Sequence, residues 1–334
     1  MYFAPQILVL MGTPAEVLPE SVAYFRTYFA GSLGVVMYNI FVGILQSVGD
    51  SRHPLIYLIC SSCINVVLDI FFIAGLGKGV GSAALATAIS QFTSAILCMI
   101  HLIRTKEEYQ LQVGKIRFDG PSLSQIIQNG VPSGFQNSVI ALANVFVQSN
   151  INAFGKMAMA GCGSYSKVEG FAFLPVTCFT MALTTFVSQN LGARQYERAK
   201  KGARFGIICS VIIAELIGII IYAAAPVLIA AFNRDPSVIH YGVMQARIIA
   251  LFYCLLAFSH CIAAVLRGSG HAAVPMVVML CDWCLFRVSY ITVAVRLISD
   301  IRVIFWAYPL TWSISSVIFL YLFLRGKWVY GFEK

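Results

Sequence analysis

The sequence predicts an all-α integral membrane protein, a polytopic helical bundle. Three observations carry that prediction. The 334-residue chain is 59% hydrophobic and only 11% charged, with a mean hydropathy of +0.81, whereas a water-facing domain carries about 25% charged residues. Nine apolar stretches, 24–47, 54–74, 82–103, 121–150, 166–190, 203–228, 239–265, 275–297 and 303–324, are each long enough to cross the hydrocarbon core. None alternates apolar with polar residues, so the spans read as helices rather than barrel strands.

The loops orient these spans. One set carries Arg52, Arg104, Lys106, Lys115, Arg117, Arg194, Arg198, Lys200, Lys201, Arg204, Arg267, Arg325, Lys327 and Lys334. The opposite set carries only Lys78, Lys156, Lys167, Arg234 and Arg302. Positive charge resists translocation, so the first set is expected in the cytosol, together with the C-terminus. The net charge of +9 is then accounted for by basic loops against anionic lipid, and nucleic acid is not an expected partner.

Of the ten cysteines, nine fall inside apolar spans and Cys162 lies near an interface. Buried thiols behave as small apolar residues, so no disulfide framework is expected. Residues 1–11 have neither a basic leader nor a small-residue cleavage site. They read as the last turns of a helix that begins upstream.

An internal repeat organises the chain. At an offset of 221 residues Val17 meets Val238 and Arg26 meets Arg247. Leu45, Gly49 and Pro54 meet Leu266, Gly270 and Pro275, and Cys60 and Cys63 meet Cys281 and Cys284. Ala86, Ser94 and Arg104 meet Ala307, Ser315 and Arg325. Six spans follow residue 120, and an even number returns the chain to its starting side. Two halves of like orientation, related by a pseudo-twofold axis along the membrane normal, are therefore expected, with roughly a hundred residues of the first half lying upstream of Met1. The expected organisation is an incomplete N-terminal lobe at 1–103, a cytosolic loop at 104–120 and a complete six-span lobe at 121–334.

Several segments resemble those of one transporter family. They are GILQSVGDSRHP (43–54), NVVLDIFFI (65–73), GSAALATAISQ (81–91), NGVPSGFQNS (129–138), FAFLPVTCFTMALTTFVSQNLGARQ (171–195) and AAVLRGSGHAAVP (263–275). Together they cover nearly the whole chain, and the chain is similar to multidrug and toxic compound extrusion (MATE) transporters. The resemblance implies twelve spans in two six-helix lobes, a central cavity, and export of small amphipathic, cationic compounds in exchange for Na+ or H+ by alternating access. It implies a monomer in the bacterial plasma membrane, with a small-molecule substrate and the bilayer as partners, no enzymatic activity and no cofactor beyond the coupling ion. The chain departs from the family in lacking the first helix, where one branch keeps a carboxylate. It also has no Asp or Glu in 121–150 or 239–265, where the other branch keeps its acids. A lipid-linked oligosaccharide flippase and an inactive fragment are the alternatives. The flippase cavity would carry more Arg and Lys than these spans do.

Ionisable residues inside a span cost about 2.5–3.5 kcal/mol at helix centre on insertion scales and mark candidate sites. Four acids qualify: Asp69, Glu169, Glu215 and Asp282. Asp69 follows Asn65 by four residues, so the two share a helix face. They either bind a cation or proton on a wet wall or form a helix–helix hydrogen bond. Glu169 follows Lys167 and precedes Pro175, where a bent helix can open a cavity. Glu215 lies among Ile, Leu and Ala with no polar neighbour, and Asp282 lies beside Trp283. Arg26 and Arg247 suit snorkelling to an interface. Arg287 is expected to pair with an acid or stack on Trp283. Gln136, Asn137, Asn144 and Gln148, with Gln91 and Gln189, suggest a polar cavity wall, or else interhelical hydrogen bonds. The paired C-x2-C motifs lie in apolar helices where thiolates are costly, so no metal is expected there.

The charge bias generates a first prediction. Cysteine-accessibility or reporter mapping should place Lys106 and Lys201 in the cytosol and Lys156 and Arg234 on the opposite side. Lys201 and Arg234 on one side would end the nine-span topology.

Overall fold

The computed structural model describes residues 4–10, 18–77, 79, 81–325 and 327–330. Lys78 and Lys334 of the loop charges and Val17 of the repeat lie outside the described residues. The described elements are helical: α1 (Ala4–Leu10), α2 (Leu18–Ser47), α3 (Arg52–Gly75), α4 (Gly81–Arg104), α5 (Gly120–Asn152), α6 (Lys156–Gly192), α7 (Tyr196–Ala230), α8 (Pro236–Gly268), α9 (Ala273–Leu297) and α10 (Arg302–Leu324). Eight of them, α2 to α4 and α6 to α10, are long and apolar enough to cross a membrane. The expected ninth span, α5, has the length at 33 residues but not the apolarity. Gln125, Gln128, Asn129, Gln136, Asn137, Asn144, Gln148 and Asn150 dilute it. The protein is an integral membrane protein, and its outward faces agree. On α3 alone Leu55, Ile59, Val66, Val67, Ile70 and Phe71 are exposed, an apolar surface that only lipid or protein can cover.

The chain forms two compact units, residues 1–118 and 119–334. In the first, α4 packs against both α2 and α3. Phe41, Leu45, Cys98 and Leu102 form its buried core. In the second, α8 packs against α6, α7 and α10, while α9 packs on α5 and α10. Tyr165, Val176, Ile221, Ile249, Tyr253, Trp283 and Trp312 share one of its buried clusters.

The repeat is visible in the backbone of both units. Gly49 (φ +88°) and Gly270 (φ +83°) occupy matched positions in the left-handed region, where glycine has no steric cost. Each closes its preceding helix the same way: Asp50 N–H donates to the Leu45 carbonyl and His271 N–H to the Leu266 carbonyl, both at 2.9 Å. Both repeat-related first helices are interrupted at the same point. The helix of α2 breaks at Gly31, and α8 tightens to a 3-10 turn at Ala250–Phe252, whose last residue is matched to Gly31.

Outside the spans, side chains fix the helix starts. Asp119 and Asp235 accept the N–H groups of Ser122 (3.0 Å) and Ser237 (2.8 Å), as N-caps do. Those hydrogen bonds from Ser122 hold the Asp119 carboxyl below the usual range. At the α2–α3 turn Asp50 is pushed up by partial burial. The His53 N–H and imidazole, with the charges of His53 and His101, outweigh this and bring it below its ordinary value.

Close approach in the second unit depends on glycine. A Cβ on Gly161 of α6 would lie 2.6 Å from the Val238 carbonyl oxygen and 3.0 Å from the Gly242 nitrogen of α8. Small residues at a crossing let membrane helices gain dispersion contacts. Gly163, two residues on, faces open space. Gly161→Val is therefore expected to lower stability by about 1–3 kcal/mol through overpacking. Gly163→Ala should be neutral or slightly stabilising. Thermal unfolding in detergent checks the pair, and equal effects would refute the crossing.

Candidate functional site

The polar residues expected to matter fall into separate places. In the first unit Asn65 and Asp69 are half-buried on α3. Asn65 Nδ2 and Asp69 Oδ1 are buried atoms with no hydrogen-bond partner among the described residues. Asp69 stands where the α-helix widens into a π-helical turn, Ile70–Gly75. Such turns recur at functional sites. An unpartnered carboxylate oxygen and an unpartnered amide nitrogen thus stand four residues apart on one helix face. Gln91 is half-buried on α4, whose backbone passes close to Gly34 of α2.

The second unit resolves the remaining candidates differently. Gln136 is buried and turns toward α9, with Nε2 2.6 Å from Met279 Sδ. Asn137, Asn144 and Gln148 are exposed, and Gln148 donates to Asn152. Gln136 is therefore set apart from Asn137, Asn144 and Gln148, which share an exposed face of α5.

Glu215 has a polar partner that its apolar sequence neighbourhood conceals. Its Oε2 accepts the Cys254 N–H at 3.1 Å. That N–H lies just after the break at Ala250–Phe252, where helix α8 restarts at Tyr253. A restarting helix leaves orphan donors and a positive dipole end, which a carboxylate satisfies. Glu215 thus holds the break.

Around Glu169 the structure assembles a cluster of aromatic and titratable residues. Tyr165 Oη lies 3.5 Å from Glu169 Oε1 and 2.8 Å from Tyr253 Oη. On α9, Arg287 is 1% exposed yet has no carboxylate within ion-pair distance among the described residues. Its guanidinium lies 4.6 Å from the Trp283 ring centroid and 4.7 Å from that of Tyr308. Nη2 donates to Thr311 Oγ1 at 2.8 Å. Of the two expected arrangements, stacking is therefore the one observed. Asp282 is buried in a second π-helical turn, Leu280–Phe286. Its oxygens have no partner of good hydrogen-bond geometry among the described residues; Ser315 is nearby, with its hydroxyl on the Thr311 and Trp312 carbonyls. His260 sits 5.4 Å from the Trp283 ring with Nε2 unpartnered. A histidine within an apolar span is itself a signal in the sequence, alongside the acids and arginines. Lys167 lies over the Phe232 ring at 5.3 Å.

Arg247 lies 5.9 Å from the Tyr222 ring and lines a cleft of about 400 Å³ with His240, Arg302 and Trp306. Arg26 is exposed. All ten cysteines are free thiols, with Cys60, Cys63, Cys178 and Cys281 exposed.

The described residues thus form an all-helical membrane protein of two units with intramembrane acids at π-helical turns, a fold class that includes several membrane-protein families. Comparison with known proteins identifies which. The MatE family model matches residues 1–71 and 132–292, and the chain belongs to that family. The chain is 28% identical over 322 residues to the probable multidrug resistance protein NorM of Thermotoga maritima, covering 94% of this chain and 68% of that protein. It is 28% identical over 287 residues to the probable multidrug resistance protein YoeA of Bacillus subtilis, covering 83% and 62%. The chain thus spans about two thirds of the length of these relatives. A crystal structure of MATE in the bent conformation superposes with a TM-score of 0.90 at 20% identity, covering 98% of this chain and 73% of that one.

The Arg287 arrangement generates a prediction. A double-mutant cycle with Arg287→Met and Trp283→Leu should give a coupling energy of about 1–2 kcal/mol, the range for a desolvated cation–π contact. Equilibrium unfolding in detergent measures it, and zero coupling would show that the stack contributes nothing.

Proposed function

We propose that this chain belongs to a secondary active exporter of small amphipathic, cationic compounds, driven by exchange for Na+ or H+. It works by alternating access between an N-terminal and a C-terminal lobe, in the plasma membrane of a bacterium with the C-terminus in the cytosol. The family supports transport, and the names of the relatives support multidrug efflux.

One observation carries the coupling assignment: Asp69 Oδ1 and Asn65 Nδ2 are buried and unpartnered on one face of α3. Holding a carboxylate inside a membrane is costly unless it serves a ligand, a proton or a partner. At Asp69 the driving ion binds the carboxylate, and Asn65 adds a neutral oxygen ligand or hydrogen bond. Ion binding and substrate binding then exchange as the site opens to either side. Glu215 lacks such freedom, since its carboxylate is engaged by the Cys254 N–H.

In vesicles with an imposed ion gradient, Asp69→Asn is expected to reach the membrane in normal amounts. It should lose efflux of a cationic dye by roughly tenfold or more, a barrier change of about 1.4 kcal/mol. Glu215→Gln should lower the amount of folded protein while the molecules that remain transport normally. The reverse ranking would move coupling from Asp69 to Glu215.

A further inference from the structure

Asp50, His53 and His101 meet where the α2–α3 turn reaches the last turn of α4, and transport as proposed above leaves them without a role. Asp50 Oδ1 accepts the His53 N–H at 3.2 Å. Its Oδ2 lies 2.6 Å from His53 Nδ1 and 3.7 Å from His101 Nε2. The two imidazole centroids are 4.3 Å apart, and one ligand atom from each of the three residues fits within 4.8 Å of the others. We propose that these three side chains bind one divalent transition-metal ion of the zinc class and staple the α2–α3 turn to the end of α4.

The donor set favours that class. Two imidazole nitrogens and one carboxylate oxygen suit Zn2+, Co2+, Ni2+ or Cu2+, whereas Mg2+ and Ca2+ want oxygen alone. Three protein ligands leave a fourth position for water, the arrangement of open zinc sites. Ligands about 2.0–2.2 Å from a tetrahedral ion stand roughly 3.3–3.6 Å apart. His101 Nε2 and Asp50 Oδ2 are near that spacing already. His53 now hydrogen-bonds to Asp50 and must draw back by about an ångström. Its side chain is 45% exposed, against 20% for His101 and 19% for Asp50. It is therefore the movable ligand and marks the path of entry from water.

An outer partner is already in place. Tyr57 Oη lies 3.1 Å from His101 Nδ1. When His101 donates its Nδ1–H to that oxygen, Nε2 carries the free lone pair, 3.7 Å from Asp50 Oδ2. Metal-ligating histidines commonly use such a contact to fix ring and tautomer.

The alternative is that the cluster only builds the turn, and the repeat tests this within the same molecule. The matched hairpin after Gly270 has the same left-handed glycine and the same 2.9 Å closing bond. Yet it carries His271, Val274, Val278 and Leu322 at the positions of Asp50, His53, Tyr57 and His101. The turn forms without the cluster, so the fold does not require these four side chains.

The test uses the full chain in detergent, free of polyhistidine tags and treated with chelator. Titration with Co2+ should saturate at one ion per chain with the visible spectrum of a low-coordinate nitrogen–oxygen site. Zn2+ should displace the Co2+, raise the melting temperature and be matched by no effect of Mg2+. His53→Ala, at a half-exposed position that spares the fold, and His101→Ala should each weaken binding at least tenfold. Tyr57→Phe should weaken it by roughly ten- to a hundredfold, as for other outer-shell partners. His240→Ala and His271→Ala should leave it unchanged. Stoichiometric binding that survives both His53→Ala and His101→Ala, or no saturable Co2+ binding by the unaltered chain, would overturn the proposal. Neither result touches the coupling assignment at Asp69, which is read from efflux.

Discussion

The hydrocarbon core offers no water to a broken backbone, and that constraint governs this structure. A backbone N–H or C=O left open in lipid costs several kcal/mol, so spans are helices wherever they can be. Each interruption then needs its own provision. The break of α8 at Ala250–Phe252 is answered by Glu215, a carboxylate carried on the neighbouring helix. The π-helical turns of α3 and α9 keep their hydrogen bonds by widening rather than opening. In both, an acid stands at the widened turn: Asp69 at the first and Asp282 within the second.

Charge is handled under the same rule. Arg287 is buried without a carboxylate at ion-pair distance, and two aromatic faces with a threonine hydroxyl replace its water. The guanidinium is weakly hydrated and planar, which makes this exchange cheaper than it would be for lysine. Asp282 has no comparable shell, since the adjacent hydroxyl of Ser315 already donates to backbone carbonyls. Two ionisable groups five residues apart on one helix thus differ: Arg287 is packed between rings and a hydroxyl, and Asp282 lacks a partner of good hydrogen-bond geometry among the described residues.

Much of this is legible in the sequence, because the lipid constraint writes itself into composition. Eight of nine expected spans follow from apolar length, and the repeat follows from Leu45–Gly49–Pro54 and its copy. The polarity of α5 reads in two ways. Its Gln and Asn residues suggest a wet wall, but helical phase separates the buried Gln136 from the exposed Asn144 and Gln148. Long-range partners are the part that one-dimensional reading misses. Glu215 meets Cys254 across 39 residues of sequence, and Tyr57 meets His101 across 44. Nothing local announces either contact. The stacking of Arg287 on Trp283 was readable, since four residues bring two side chains over one another on a helix. Tyr308, the second ring, was not.

The repeat also separates what the fold needs from what it permits. Positions that build the backbone are kept in both copies: Leu45 with Leu266, Gly49 with Gly270, Pro54 with Pro275. The break at Gly31 matches that ending at Phe252. Positions that carry the unpartnered chemistry are not kept. Asn65 and Asp69 correspond to Phe286 and Tyr290, whose rings stack at 6.2 Å. Asp282 and Arg287 correspond to Ser61 and Val66, of which Ser61 donates to the Ser90 carbonyl and Val66 is exposed. In each case one copy places an ionisable or amide group where the other has an aromatic ring, a hydrogen-bonded serine or an exposed valine. A residue that the fold can replace with phenylalanine, tyrosine or valine at the equivalent position is not held by the requirements of folding. Inside a membrane an acid at such a place carries an insertion cost that the packing residue at the matched position avoids.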